Sequence, residues 1–201
     1  ENFVSLSSLQ SINYILPVIV LPYLIRIIGF EKFGLIAFAQ ALVQYFMIFT
    51  DYGFSLSATR EISLCRHEKG RVCAVFSSVM TVKIMLAAIS FLILLALINF
   101  VPRFSKDWLV YVLSFGAVIG NTLFPVWLFQ GHEKMRFISI INIVAGMIYA
   151  VSIFIFIKEP GDYLLAPVLN SAYYLVAGIS GLYVAFKRFN LSFNLQGYSS
   201  I

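Results

Sequence analysis

Residues 72–101 read VCAVFSSVMTVKIMLAAISFLILLALINFV, and their single charged side chain belongs to Lys83. A helix needs about 20 mostly apolar residues, each adding a rise of about 1.5 Å, to cross a hydrocarbon core about 30 Å thick. This stretch is therefore long enough to span a bilayer. Because its apolar residues run continuously and do not alternate with period two, a helix is favoured over a strand of a membrane barrel.

Stretches of this kind take up most of the 201-residue chain. We predict six transmembrane spans, at residues 3–28, 33–57, 72–101, 108–130, 136–157 and 163–186. The composition agrees, because 61% of the residues are hydrophobic and 11% are charged, whereas soluble domains carry about 25% charged residues. The predicted fold class is all-α, a polytopic membrane protein. Residues 1–188 are expected to form one bundle of six transmembrane helices, followed by a polar C-terminal tail at 189–201.

The lysines and arginines are divided unequally between the hinges that connect these spans. The hinges after spans two and four and the tail after span six, here called the even hinges, hold eight: Arg60, Arg66, Lys69, Arg71, Lys134, Arg136, Lys187 and Arg188. The odd hinges, after spans one, three and five, hold five: Arg26, Lys32, Arg103, Lys106 and Lys158. By the positive-inside rule, the even hinges and both termini are predicted to face the cytoplasm. Because the cations are scattered singly, no nucleic-acid partner is expected.

Polar side chains inside the spans fall on single helix faces. At 100° per residue, Gln40, Gln44 and Asp51 lie close together on span two. The other spans carry Gln10 and Asn13 (span one), Asn121 (span four), Asn142 (span five) and Asn170 (span six). Such residues either join helices by hydrogen bonds of about 0.6 kcal/mol each or line a shared hydrated lumen. Their presence on five spans favours the lumen.

Two ionisable residues lie within the spans. A charge at the middle of a membrane helix costs about 2.5 to 3.5 kcal/mol, so such residues are usually functional. Lys83 lies well inside span three and can either bind an anionic group such as phosphate or pair with a carboxylate such as Asp51. Asp51, in the last third of span two, is a candidate for binding a coupling ion, and the alternative is a solvated helix end.

Other signals concern packing and what the chain lacks. The GxxxG sequence from Gly116 to Gly120 predicts close helix packing, and Pro125 weakens the hydrogen-bond ladder of span four.

His67 and His132 lie in separate hinges, so neither a metal site nor a cofactor is predicted. The hinges are too short for an extramembrane catalytic domain, so an enzyme is not expected. Cys65 and Cys73 flank a predicted cytoplasmic hinge, where thiols stay reduced.

Several short motifs carry a resemblance to a known family. They include LPYLIR at 21–26, DYGF at 51–54, ATREI at 58–62, and FPVWLFQG at 124–131 followed by EKM at 133–135. With these motifs the chain resembles a bacterial polysaccharide flippase of the Wzx type, from the transporter group that includes multidrug extruders and lipid II flippases. The resemblance implies that the substrate is an undecaprenyl-pyrophosphate-linked oligosaccharide, moved across the bacterial inner membrane from the cytoplasmic to the periplasmic leaflet.

This resemblance gives the polar residues provisional roles. The pyrophosphate needs cations, for which Lys83, Arg60 and Arg26 are the candidates, and the Asn and Gln faces provide a path for the sugar. Asp51 is the candidate site for H⁺ or Na⁺ as coupling ion. Members of the family resemble two six-helix bundles around a central lumen, and this chain corresponds to the N-terminal one. Its expected partner is therefore a missing C-terminal half, whose linker would begin at 189–201, or a second copy.

Other functions remain open on the residues alone. A multidrug-type exporter would use the same architecture, but acidic lumen residues would suit cationic drugs, whereas Lys83 suits an anionic cargo. A membrane scaffold or fragment without transport activity is a further alternative. An intramembrane polysaccharide polymerase is less favoured, because the odd hinges are too short to hold a sizeable periplasmic loop.

Overall fold

The computed structural model describes residues 18–189 and residue 191 of the chain. Most of predicted span one, with Gln10 and Asn13, and most of the C-terminal tail lie outside the described residues. Every regular element within the described residues is helical. This confirms the predicted all-α, polytopic fold class.

The helices follow one another with short connections. Their bounds are α1 Val18–Ile28, α2 Phe30–Asp51, α3 Phe54–Cys65, α4 Lys69–Phe100, α5 Pro102–Lys106, α6 Trp108–Leu123, α7 Val126–Gly131, α8 Met135–Phe156, a 3₁₀ helix Pro160–Leu164, and α9 Leu165–Phe189. Five segments are long and apolar enough to cross a membrane: Phe30–Cys65, Lys69–Phe100, Trp108–Gly131, Met135–Phe156 and Pro160–Phe189. The described part of the first predicted span is the shorter apolar helix α1.

Two of the predicted spans are each divided into two helices. Span two breaks at Tyr52 and Gly53, which both have left-handed backbone angles, with φ of 32° and 79°. Gly53 adopts this conformation without a steric penalty from a Cβ atom. Span four breaks at Phe124 and Pro125, because proline provides no backbone N–H and holds the preceding residue in an extended conformation.

The segments beyond these two breaks, α3 and α7, pack against each other. The Thr59 hydroxyl of α3 lies 3.3 Å from Oε1 of Gln130 on α7. A Cβ atom at Gly131 would lie 2.6 Å from the Ile62 side chain, so the absence of a side chain there permits the contact. Both broken spans therefore continue toward the same end of the molecule as a packed pair.

Helix α6 lies at the centre of the bundle, in contact with α2, α4 and α9. Its closest neighbour is α9, because a Cβ atom at Gly120 would collide with the backbone of Tyr174, and one at Gly178 would collide with the Gly120 carbonyl oxygen. Small residues allow this approach of the two backbones. The close packing predicted from the GxxxG sequence is confirmed.

The odd and even hinges lie at opposite ends of the bundle, each next to a hydrophobic cluster. Residues of hinges one and three line one shared pocket, and residues of hinge two, hinge four and the end of α9 line another. The odd-end cluster includes Ile36, Val43, Tyr111, Val118 and Ile153. The even-end cluster includes Ile62, Phe76, Leu128, Phe129 and Ala185.

Candidate functional site in the middle of the bundle

Three polar side chains from three helices meet between the two hydrophobic clusters. The Lys83 Nζ atom of α4 lies 2.8 Å from Oδ1 of Asp51, the last residue of α2. Asn121 of α6 donates from Nδ2 to the other carboxylate oxygen of Asp51, at 3.4 Å. We call these three residues the mid-bundle site. Of the two alternatives for Lys83, the described conformation contains the pairing with Asp51.

The position of the site between the clusters repeats along each helix. On α4, Lys83 follows Met80 of the even-end cluster and precedes Leu94 of the odd-end cluster. Asn121 of α6 follows Val118 of the odd-end cluster and precedes Phe124 of the even-end cluster, which stands just after the helix. The mid-bundle site is thus a polar level between two apolar ones.

The two charged partners differ in burial. The Lys83 side chain is 3% exposed, whereas 44% of the Asp51 side chain is exposed. An ammonium group removed from water requires a compensating charge, since an unpaired buried charge is strongly destabilising. The C-terminal end of α2, whose last residue is Asp51, adds a partial negative charge beside the carboxylate. Lys83 is therefore neutralised inside the bundle, and Asp51 is the partner that remains accessible from outside it.

Buried hydroxyl groups near this level are mostly satisfied within their own helices. Ser90 donates to the carbonyl of Leu86 at 2.8 Å, and Ser114 donates to that of Val110 at 2.7 Å. Ser171 instead donates across helices, from α9 to the carbonyl of Leu113 on α6. Ser171 therefore joins two helices by a hydrogen bond. This is one of the two roles predicted for polar residues in the spans, the other being to line a lumen.

The other predicted site residues are distributed over the molecule. Gln40 and Gln44 are exposed on α2, while Asn142 on α8 and Asn170 on α9 are half-buried. Arg26 is exposed on α1, whose neighbouring residues belong to the odd-end cluster, and Arg60 is exposed on α3 next to the even-end cluster. Among the described residues, neither arginine forms an ion pair with Asp51. The three predicted pyrophosphate cations thus lie at three different levels.

A group of three tyrosines is a feature that the sequence did not single out as a unit. The ring centroids of Tyr149 on α8 and Tyr173 on α9 are 5.9 Å apart, and those of Tyr173 and Tyr174 are 4.8 Å apart. The consecutive Tyr173 and Tyr174 were visible in the sequence, but their contact with Tyr149 on α8 depends on how the helices pack. Within the described residues, no three His, Cys, Asp or Glu side chains stand close enough together to hold a metal ion.

Comparison with known proteins places the chain in a family. The family model described as "Polysaccharide biosynthesis protein" matches residues 1–200. The chain belongs to this family. Its membership of the Polysaccharide biosynthesis protein family confirms the resemblance to polysaccharide flippases drawn from the motifs.

Two curated relatives of this Polysaccharide biosynthesis family member are each named "Putative O-antigen transporter". The relative from Escherichia coli (strain K12) is 35% identical over 182 residues, which cover 90% of this chain and 44% of the relative. The relative from Shigella dysenteriae is 31% identical over 188 residues, covering 94% of this chain and 47% of the relative. The chain therefore spans a little under half the length of each relative. No solved structure matches it.

Proposed function

We propose that this chain forms one bundle of a transporter that moves undecaprenyl-pyrophosphate-linked oligosaccharide units across the bacterial inner membrane, from the cytoplasmic to the periplasmic leaflet, for O-antigen or capsule assembly. The observation that carries the proposal is the buried Lys83 ammonium group at the middle of the bundle. Because a cation at that depth is energetically costly, its presence indicates a function, and binding an anionic substrate is such a function. The family and the names of the relatives support the same substrate class.

The mid-bundle site suggests how substrate binding can depend on a coupling ion. One ammonium group has two competing anions, the Asp51 carboxylate and the substrate pyrophosphate. The half-exposed Asp51 side chain is accessible to H⁺ or Na⁺. When such an ion neutralises Asp51, the attraction on Lys83 falls and Lys83 becomes available to the pyrophosphate. The linkage is reciprocal: ion binding at Asp51 and pyrophosphate binding at Lys83 each weaken the Lys83–Asp51 pair, so each favours the other.

The remainder of the substrate requires two further environments. Gln40 and Gln44, exposed on α2, provide hydrogen-bonding groups for a sugar, and the tyrosine group of α8 and α9 provides aromatic rings. The prenyl tail stays in the lipid. A polar helix face is unfavourable against lipid, so we propose that a second six-helix bundle, from a C-terminal half or a second copy, covers the lumen face.

The experiment is complementation of a flippase-deficient strain with the complete gene. Lys83→Ala should reduce surface polysaccharide at least tenfold at equal protein level, because the anion-binding cation is lost. Lys83→Arg should retain part of the activity, and Asp51→Asn should also reduce transport, since Asn cannot take up a coupling ion. Lys158→Gln is the matched control, because Lys158 is an exposed odd-hinge lysine.

The outcomes separate the site from the function. Full complementation by both Lys83→Ala and Asp51→Asn would remove the assigned roles of the mid-bundle site while leaving the transport function in place. Failure of the unmodified gene to restore surface polysaccharide, with the protein present in the membrane, would argue for a scaffold. Restored resistance to cationic compounds in place of polysaccharide would favour the multidrug-type exporter.

A further inference from the structure

A second group of cations surrounds a pocket at the even end of the bundle. The pocket has a volume of about 200 Å³ and is lined by Arg66, Lys69, His132, Lys134, Arg188 and Phe189. We call it the even-hinge pocket. Its charged residues come from hinge two, hinge four and the end of α9, and Val72 of α4 completes the lining, so the pocket forms where separate parts of the chain meet.

The even-hinge pocket has a deficit of negative charge. Among the described residues, three carboxylates lie at this end, and each is already paired: Glu61 and Glu68 with Arg71, at 3.3 and 3.5 Å, and Glu133 with Arg66, at 3.2 Å. Lys69, Lys134 and Arg188 consequently have no carboxylate partner among the described residues. Three cations that share a small space repel one another, and an anion between them would relieve this repulsion.

The pocket at the odd end is closer to charge balance. It has a volume of about 380 Å³, and its cations Lys32, Arg103 and Lys106 are accompanied by the carboxylates of Glu31 and Asp107 in the same lining. Two pockets of similar construction thus differ in charge balance. The stronger preference for anions is therefore expected at the even end.

One wall of the even-hinge pocket is apolar and held in place. The ring centroids of His132 and Phe189 are 4.2 Å apart, and Lys134 Nζ lies 5.2 Å from the Phe189 ring centroid. Phe189 in turn contacts Phe129 of the even-end cluster, with centroids 6.0 Å apart. A cationic rim next to an apolar wall at the end of a membrane bundle suits a charged head group that carries hydrocarbon chains better than a free ion.

We propose that the even-hinge pocket binds the phosphate-bearing head group of an anionic membrane lipid. The site is separate from the mid-bundle site, and its occupation does not depend on transport. Two lipids share the required chemistry, namely an anionic phospholipid of the bilayer and a polyprenyl pyrophosphate. Lys69, Lys134 and Arg188 contact the phosphate oxygens, and Phe189 contacts the first carbon atoms of the attached chain.

The test measures lipid binding to the purified full-length protein in detergent micelles, by native mass spectrometry and fluorescence titration. The probes are phosphatidylglycerol, undecaprenyl pyrophosphate and, as the zwitterionic control, phosphatidylethanolamine. A basic residue near a membrane surface contributes about a fivefold factor in affinity. Lys134→Gln combined with Arg188→Gln should therefore weaken binding about 25-fold. The matched control combines Arg103→Gln with Lys106→Gln at the odd end and should leave binding unchanged.

A third variant tests the proposal in the opposite direction. Glu133→Gln releases Arg66 from its ion pair, so binding of the anionic probes should tighten. Stronger binding of phosphatidylglycerol identifies the bilayer lipid as the occupant, and stronger binding of undecaprenyl pyrophosphate identifies the carrier lipid. Equal losses in the two double variants, equal binding of phosphatidylethanolamine, or no binding of either anionic probe would overturn the proposal.

Discussion

The mid-bundle site contains one ion pair, a second ion pair borders the even-hinge pocket, and the two pairs differ in exposure. Lys83 and Asp51 are 2.8 Å apart, with the lysine side chain 3% exposed. Arg66 and Glu133 are 3.2 Å apart, with their side chains 42% and 78% exposed. The exposed pair is screened by water and contributes about 0 to 1 kcal/mol. In the other pair, the buried Lys83 ammonium group depends on Asp51 for a compensating charge, whereas the half-exposed Asp51 can be solvated by water.

This difference determines what each region is available to do. In the middle, the single ammonium group has a single carboxylate, so any new anion has to compete with Asp51. At the even end, the cations outnumber the carboxylates, and an anion can bind without displacing a protein group. The first arrangement suits a site whose occupation switches between two anions. The second suits a site that an anion can occupy permanently.

Breaking the buried pair should have the largest effect. Asp51→Asn leaves the Lys83 ammonium group buried without its charge partner, and the free energy of unfolding should fall by about 3 kcal/mol. Glu133→Gln, which breaks the exposed pair, should change it by less than about 1 kcal/mol. Thermal unfolding in micelles measures both.

A double variant checks that the loss comes from the unpaired charge. Adding Lys83→Met to Asp51→Asn removes the ammonium group and should restore most of the lost stability. If the double variant is no more stable than Asp51→Asn alone, the pair does not have the energetic role assigned to it.

Glycine substitutions should have an intermediate effect on the free energy of unfolding. The effect should be larger in the tightly packed middle of the bundle than at the even end. In Gly120→Ala the new Cβ atom meets the Tyr174 backbone, so α6 and α9 have to separate and the free energy of unfolding should fall by about 1 to 3 kcal/mol. Gly70→Ala, in the first turn of α4, meets no atom within 4 Å. It should be neutral or stabilising by up to about 1 kcal/mol, because alanine favours the helix. Similar losses in the two variants would contradict the close α6–α9 contact.

The smallest expected effect concerns the pH dependence of the even-hinge pocket. Burial lowers the pKa of His132, the nearby Lys134 and Arg66 lower it further, and the hydrogen bond to the Leu128 carbonyl opposes them. As the pH falls below about 6.5, the unfolded chain takes up the proton before the folded one does, so stability decreases until the folded-state pKa is passed. His132→Gln should reduce the dependence of the unfolding temperature on pH between pH 7 and pH 5. An unchanged pH dependence in this variant would show that another group is responsible.

The all-α, polytopic fold class could be predicted from the sequence because the length and apolar composition of each helix are local properties. The Lys83–Asp51 pair was only one of two alternatives, since helical periodicity gives the face of a residue but not the neighbouring helix. In the structure, α2 and α4 contact each other and both contact α6, and the sequence of any one helix does not specify that arrangement. The even-hinge pocket was not predicted at all. Its cations look isolated along the chain and become a group only when three hinges meet.

The breaks at Tyr52–Gly53 and Phe124–Pro125 have a mechanical consequence. Both occur next to the mid-bundle site, one directly after Asp51 and the other three residues after Asn121. At these points regular helical hydrogen bonding is already interrupted, and beyond them α3 and α7 are packed together. We therefore expect the α3–α7 pair to tilt as one lever, with its two pivots beside the carboxylate that would sense the coupling ion.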